Sequence, residues 1–207
     1  SDDFTLKANM VKVFFNKDLY DIEKIESNGN VVLTSLKGIQ ASGEKINFDL
    51  KKENIIIVEK NFLLINNEIK MTSDNLIDVN NSNGKFIVKG KNSSLTSNNI
   101  NIIGSLIEGK FLKTNNINEV EKLYVSDDNN INIKTNKLDM FAKKADYDKN
   151  NNIIELFDDV KIYRDKEIIT GNYAKINTLE ESYKVTSDSS NKVKVLLNNA
   201  EWINFQF

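Results

Sequence analysis

The chain has no cysteine, no histidine and no proline, and Arg164 is its only arginine. Each absence removes a class of function. Without cysteine there is no disulfide framework, thiol nucleophile, cysteine-bound zinc or iron–sulfur cluster. Without histidine the commonest general base and metal ligand is missing. One arginine offers little to a reading that needs forked contacts to phosphates or bases, and a net charge of −2 gives no polyanion-binding surface. No apolar run approaches the ~18 residues of a membrane-spanning helix. No catalytic set, metal site, cofactor or nucleic-acid partner is therefore expected, and with no proline the turns fall to asparagine, aspartate, serine and glycine.

What is present is strand. Short β-branched or aromatic runs ("VKVFF", "NVVLT", "NIIIV", "FLLI", "KFIVKG", "NIIELF", "VKIY", "KVKVLL") alternate with turn-forming clusters ("SNG", "NNSNG", "SDDNN", "DKNNN") along all 207 residues. Helical periodicity is nearly absent, so an all-β chain of antiparallel hairpins is expected. The C-terminal "AEWINFQF" is open between a stray strand, a helical turn and a tail.

Several strands change phase midway, in the order apolar, x, small, x, x, apolar, x, apolar. In "IQASGEKINF" these positions are Ala41, Gly43, Ile46 and Phe48. The pattern returns as Met71, Ser73 and Leu76, with Asp78 closing, and as Leu95, Ser97, Ile100 and Ile102. It returns twice more, as Met140, Ala142, Ala145 and Tyr147, and as Ile169, Gly171, Ala174 and Ile176. Side chains alternate faces along a strand, so the skipped beat would turn the second half outward. A bend or bulge at the small residue turns it back. Repeated from strand to strand, such bends make a crease carrying Gly43, Ser73, Ser97, Ala142 and Gly171. The expected fold is an elongated, folded-over, V-shaped antiparallel β-jelly roll of repeated hairpins. Its interior is lined by the apolar residues just named together with Val31, Leu33, Ile39 and Ile69.

A longer duplication accompanies the pattern: "ASGEKINFD" and "NIIIVEKNFLLINNEIKMTS" recur as "MFAKKADYD" and "IIELFDDVKIYRDKEIITG" about 99 residues on. It implies an elongated, quasi-one-dimensional architecture. Residues 1–197 are read as one roll with halves of about 1–90 and 91–197, and 198–207 as a tail.

The stretches "IEKIESNGNV", "GNVVLT…IQASGEKINFD" (29–49), "KNFLLINNEIKMTSDNL" (60–76) and "KKADYDKNNNIIELFDDVKIYRDKEIITGNYAKIN" (143–177) resemble the OstA-like family. Residues 22–90 and 136–197 carry the likeness, and 91–135 match weakly. Within the family the chain is most similar to periplasmic lipopolysaccharide-transport components of the LptA type, with the LptC type second. The opening "SDDF" reads as a mature form after cleavage, and the want of an apolar anchor ahead of it favours the first type. The family's Gly-Asn-Val turn is expected at Lys60-Asn61-Phe62 and Asp158-Asp159-Val160, and its Tyr-Asp becomes Phe48-Asp49 once. The resemblance implies a non-enzymatic periplasmic bridge whose apolar groove shields lipid A acyl chains on the way to the outer membrane. It also implies head-to-tail self-association and LptC-like and LptD-like partners. The expected interface is the edge strands, carrying Leu6, Val11 and Val13 in "FTLKANMVKVFF" and Val193 and Val195 in "NKVKVLL".

Three local patterns imitate chemistry. "GSLIEGKF" (104–111) has phosphate-loop spacing, but Phe111 stands where a magnesium-binding hydroxyl is required, so two turn glycines are expected. "DKNNNI" (148–153) opens like a calcium loop without its central glycine, and reads as a hairpin turn. Asp158-Asp159 invites a general acid/base reading, but adjacent strand residues face opposite ways, so no dyad is expected and the pair reads as a tight turn. The lysines of "KTNKLDMFAKKADYDK" lie either at a groove rim, toward lipid phosphates, or on a solvated outer face.

Overall fold

The structure, a computed structural model, describes residues 4–18, 21–36, 38–97, 100–114, 117–180, 182–188, 192–196 and 203–205. All described regular structure is strand: Phe4–Lys7 (β1), Met10–Phe15 (β2), Ile22–Ser35 (β3), Gln40–Asp49 (β4), Asn54–Val58 (β5), Asn61–Ile65 (β6), Ile69–Ser73 (β7), Leu76–Asn80 (β8), Lys85–Ser97 (β9), Ile100–Thr114 (β10), Ile117–Thr135 (β11), Asp139–Asp148 (β12), Ile153–Arg164 (β13), Glu167–Asn177 (β14), Ser182–Thr186 (β15), Val193–Leu196 (β16) and Ile203–Phe205 (β17). They form one antiparallel sheet in which β3, β4 and β9 to β14 run the full width. The shorter strands each occupy half of it. In one layer β2 pairs with β3, and β5 and β8 bridge β4 to β9. In the other, β1 pairs with β3, and β6 and β7 bridge β4 to β9. Residues 91–135 continue the same sheet without interruption.

The layers are joined along a line of register shifts, at Asn28/Val31 in β3, Gly104/Leu106 in β10, Ser126/Ile131 in β11, Phe141/Lys144 in β12 and Phe157/Val160 in β13. The backbone takes two successive positive φ values at Gly29-Asn30, Glu59-Lys60 and Asp158-Asp159. A pair of left-handed residues rotates the chain so that the next apolar side chain again faces inward. Asp158-Asp159 is thus a bulge within β13 rather than a turn between strands. The counterpart of Gly29-Asn30-Val31 in the first repeat is Glu59-Lys60-Asn61, one residue earlier than Lys60-Asn61-Phe62. Glu59 and Asp158 stand 99 positions apart, at the same point of the same device.

The fold-over buries one continuous core. Next to the crease, one layer presents an unbroken cross-strand row: Ser27, Ile46, Ile57, Ile77, Val88, Ile107, Val125, Ala145, Leu156, Ala174 and Val185. The facing layer answers with Leu33, Ala41, Leu63, Met71, Leu95, Ile102, Ile133, Met140, Ile162, Ile169 and Val195. Each fully buried aliphatic side chain contributes about 1.5–3 kcal/mol, so these two rows are the main cohesive element of the roll. β-branched residues dominate them because they suit a pleated surface buried on one face.

Candidate functional site

The residues expected to line the interior divide by depth. Val31, Leu33, Ala41, Ile46, Ile69, Met71, Leu95, Ile102, Met140, Ala145, Ile169, Ala174 and Ile176 are buried in the core. Ile39, Phe48, Ile100 and Tyr147 are half-buried, nearer the open strand ends. Leu76 is also half-buried, and Ile77 takes its expected place, because Asp74-Asn75 lengthens the link between β7 and β8 by one residue.

Gly43, Ala142 and Gly171 lie at the fold line, and the packing gives the reason for their size. A Cβ on Gly43 would stand 2.6 Å from Ile57 Cγ2, one on Gly104 2.7 Å from Val125 Cγ1, and one on Gly171 2.5 Å from Val185 Cγ1. All three obstructing side chains belong to the row nearest the crease. Ser73 solves the same problem with hydrogen bonds: its Oγ donates to the Lys89 carbonyl and accepts from the amides of Asn75 and Leu76.

Ser97 is not at the crease. It ends β9 and pairs with Ile100 across a two-residue link. At this point of the sheet the crease is carried by Gly90, with φ near 149°, and by Gly104, neither of which was expected there. The signal for Gly104 was present, since Ile102, Gly104 and Ile107 fit the same phase-change pattern. Gly104 and Gly109 are therefore strand residues, not turn residues. Gly109 leaves room for the Phe86 ring, whose centroid stacks 4.4 Å from that of Phe111.

Away from the crease, in the second half, the layers leave a cavity of about 540 Å³. Leu123, Tyr147, Ile154 and Ile176 form its wall in one layer, and Ile100, Ile102 and Leu138 in the other. Lys137, Lys149, Arg164, Glu68, Glu119 and Tyr183 surround the opening. Lys149 is ion-paired with Glu119. The Arg164 guanidinium lies 5.8 Å from the Tyr183 ring centroid. Burial, with the nearby charges of Glu119 and Asp148, pushes the Tyr147 phenol above its ordinary range. The lysine-rich segment is thereby sorted: Lys137 and Lys149 reach the rim, whereas Lys143 donates to the Asp128 and Asn129 carbonyls beyond the crease. The 148–153 loop is a hairpin turn in which Asp148 accepts from the Asn151 amide, holding the Asp148 carboxyl below its ordinary range.

The expected edge strand at the N-terminus is two strands. Leu6 lies on β1 and packs partly on the core, while Val11 and Val13 lie on β2, where Met10, Phe14 and Phe15 are also exposed. At the other end Val193 and Val195 are not outermost, because β16 is paired with β14 on one side and β17 on the other. The described edges there are β15 and β17; of the expected tail, 203–205 form β17 and the rest lies outside the described residues. Among the described residues no three carboxylates converge to hold a metal.

No protein-family model matches the chain, and no curated protein matches it. Among solved structures, it is similar to LptH, the LptA homologous periplasmic component of the lipopolysaccharide transport device of Pseudomonas aeruginosa. The two share a fold. The TM-score is 0.52 at 11% identity, over 63% of this chain and 94% of that one. With the two facing rows and the crease, this makes the chain an all-β, folded-over jelly roll.

Proposed function

We propose that the chain is a non-enzymatic periplasmic carrier that shields the acyl chains of lipopolysaccharide, one unit of a bridge to the outer membrane. The observation that carries the reading is an apolar interior, enclosed by a single folded-over sheet, that retains unfilled space between its layers. Edges that are unpartnered among the described residues extend it. A second copy adds its terminal strands to β1 and β2, and LptC-like and LptD-like proteins meet the two ends in the same manner, by strand addition. The likeness to LptH supports the reading at the level of fold. An LptC-type component of the same pathway would use the same surfaces. The groove of this proposal comprises the half-buried Phe48, Ile100 and Tyr147 and the apolar floor of the cavity, with the crease residues as its hinge line.

A photo-reactive phenylalanine analogue at Tyr147 should yield an adduct with lipopolysaccharide after irradiation, and the same analogue at exposed Lys175 should not. A folded protein giving no adduct at Tyr147 would sink the carrier reading. It would leave a solid-cored β-solenoid, the alternative favoured by the sealed interior around Ile46, Ile57 and Ile77.

A further inference from the structure

We propose that Tyr183 is a gate between the cavity and the C-terminal end of the roll, held shut across the seam between the layers by Arg164 and Glu167. The cavity lining runs from Ser97, at the end of β9, to Tyr183 on β15. Among the described residues Tyr183 is thus the last wall residue toward that end, and β15 is the last strand of its layer. A hydrocarbon chain moving between the cavity and the next unit of a bridge has to pass this ring.

The latch joins the two layers. Tyr183 belongs to the layer of Ala174 and Ile176, whereas Arg164 and Glu167 pair with each other where β13 meets β14 in the other layer. The Tyr183 hydroxyl donates to Glu167 Oε2 at 3.4 Å, and the Arg164 guanidinium lies 5.8 Å from the ring centroid. A cation and a carboxylate in register balance one another, so the latch acts on the ring and not on the sign of a ligand's head. Both contacts are near the long end of their ranges. The strand behind them is short: β15 has five residues and, among the described residues, pairs with β14 alone. Such contacts hold a half-buried ring in place without fixing it.

The first half shows what a fixed ring requires at the same register position. Going outward from the crease, the pair Ile77–Val88 is followed by Val79–Phe86, as Ala174–Val185 is followed by Ile176–Tyr183. Phe86 is buried, its strand is paired on both sides, and its ring stacks on Phe111. Tyr183 is only half-buried, its strand ends the layer among the described residues, and its contacts across the seam are polar. One aromatic residue is packed as a permanent plug, and the other is placed where it can swing.

The inference deepens the acyl-carrier reading and rests on it for the nature of the ligand. The test uses the full chain and a fluorescent fatty acid, whose association and dissociation are followed by stopped flow. Tyr183→Phe keeps the ring and removes the hydroxyl, so both rates should rise about threefold or more while Kd stays within about twofold. Glu167→Gln weakens the acceptor and should move both rates in the same direction by less. The double variant should be no faster than Tyr183→Phe alone, since both changes release one latch. Lys184→Ala, exposed on the same strand, should leave both rates unchanged, and every variant should keep the β circular-dichroism signal. Unchanged rates in Tyr183→Phe would mean that the ligand bypasses the ring, and would overturn the gate. A change confined to dissociation would overturn it too, because the residue would then only touch the bound chain. In both cases the carrier reading stands. A folded wild-type chain that binds no probe overturns that reading and the gate with it.

Discussion

The two halves of the roll, read from the sequence as repeats, use one backbone device and fill it differently. Beside the crease, β4, β5 and β8 contribute Ile46, Ile57 and Ile77, while β12, β13 and β14 contribute Ala145, Leu156 and Ala174. On the outer face of the same strands the first repeat pairs Asn47 with Ile56, and the second pairs Asp146 with Glu155. The first repeat therefore keeps its bulk inside and no charge at that outer pair, whereas the second has less bulk inside, a cavity beyond it, and carboxylates outside. Both halves keep what the crease demands and differ where it makes no demand. The first half is sealed by its bulk, and the second keeps unfilled space between its layers.

Core truncation should test that contrast most severely. Ile57→Asp places an unpaired charge in a sealed row and should prevent cooperative folding. Ile57→Ala should cost near the top of the ~2–5 kcal/mol range for such truncations. Ile154→Ala should fall near the bottom, because one side of Ile154 already faces the cavity. Urea melts of the three variants measure the order, and equal costs for Ile57→Ala and Ile154→Ala would remove the distinction between halves.

Crease substitutions come next. Gly43→Val meets Ile57, which is held between Ile46 and Ile77, and should cost about 3 kcal/mol. Gly171→Val meets Val185 and the Thr186 carbonyl, both on the short β15, which among the described residues pairs with β14 alone and can yield as a unit, so about 1 kcal/mol is expected. Thermal melts of the pair decide it, and a reversed order would mean that the C-terminal edge is the more rigid one.

The crease was legible because a skipped beat in a period-two pattern has few structural solutions. Its failures are equally physical. Apolar, x, small, x, x, apolar describes a bulge within one strand, but also a strand end, a two-residue link and a new strand start, which is what Ser97 and Ile100 form. The local string cannot separate the two, and Gly104, the real crease residue nearby, was absorbed into a phosphate-loop look-alike. Asp158-Asp159 read as a turn for a related reason, since two left-handed residues end a strand in a hairpin and merely rotate it here. The cavity rim left no local trace at all. Lys137 and Lys149 flank the two ends of β12 and Arg164 ends β13, and only the fold-over of the two layers brings them to one mouth.

The smallest expected effect concerns the outer carboxylates. Burial, and then the charge of Glu155 opposite, raise the Asp146 pKa above its ordinary value. An acid whose folded pKa is raised binds its proton more tightly in the folded state. Its ionisation therefore disfavours folding as pH climbs from the unfolded pKa through the folded one, and the penalty is complete above both. Asp146→Asn, which installs the residue found at Asn47 in the first repeat, should therefore raise the urea midpoint slightly at pH 7. Below the ordinary carboxylate range the two proteins should have the same midpoint. Glu155→Gln should give part of the same gain by removing the opposing charge. It should also lower the Tyr173 phenol from about 12, where burial and its hydrogen bond to Glu155 hold it. Spectrophotometric titration of Tyr173 reads that shift directly. An unchanged phenol would mean that the Glu155 contact is not maintained in solution, and would leave burial as the sole cause of both perturbed groups.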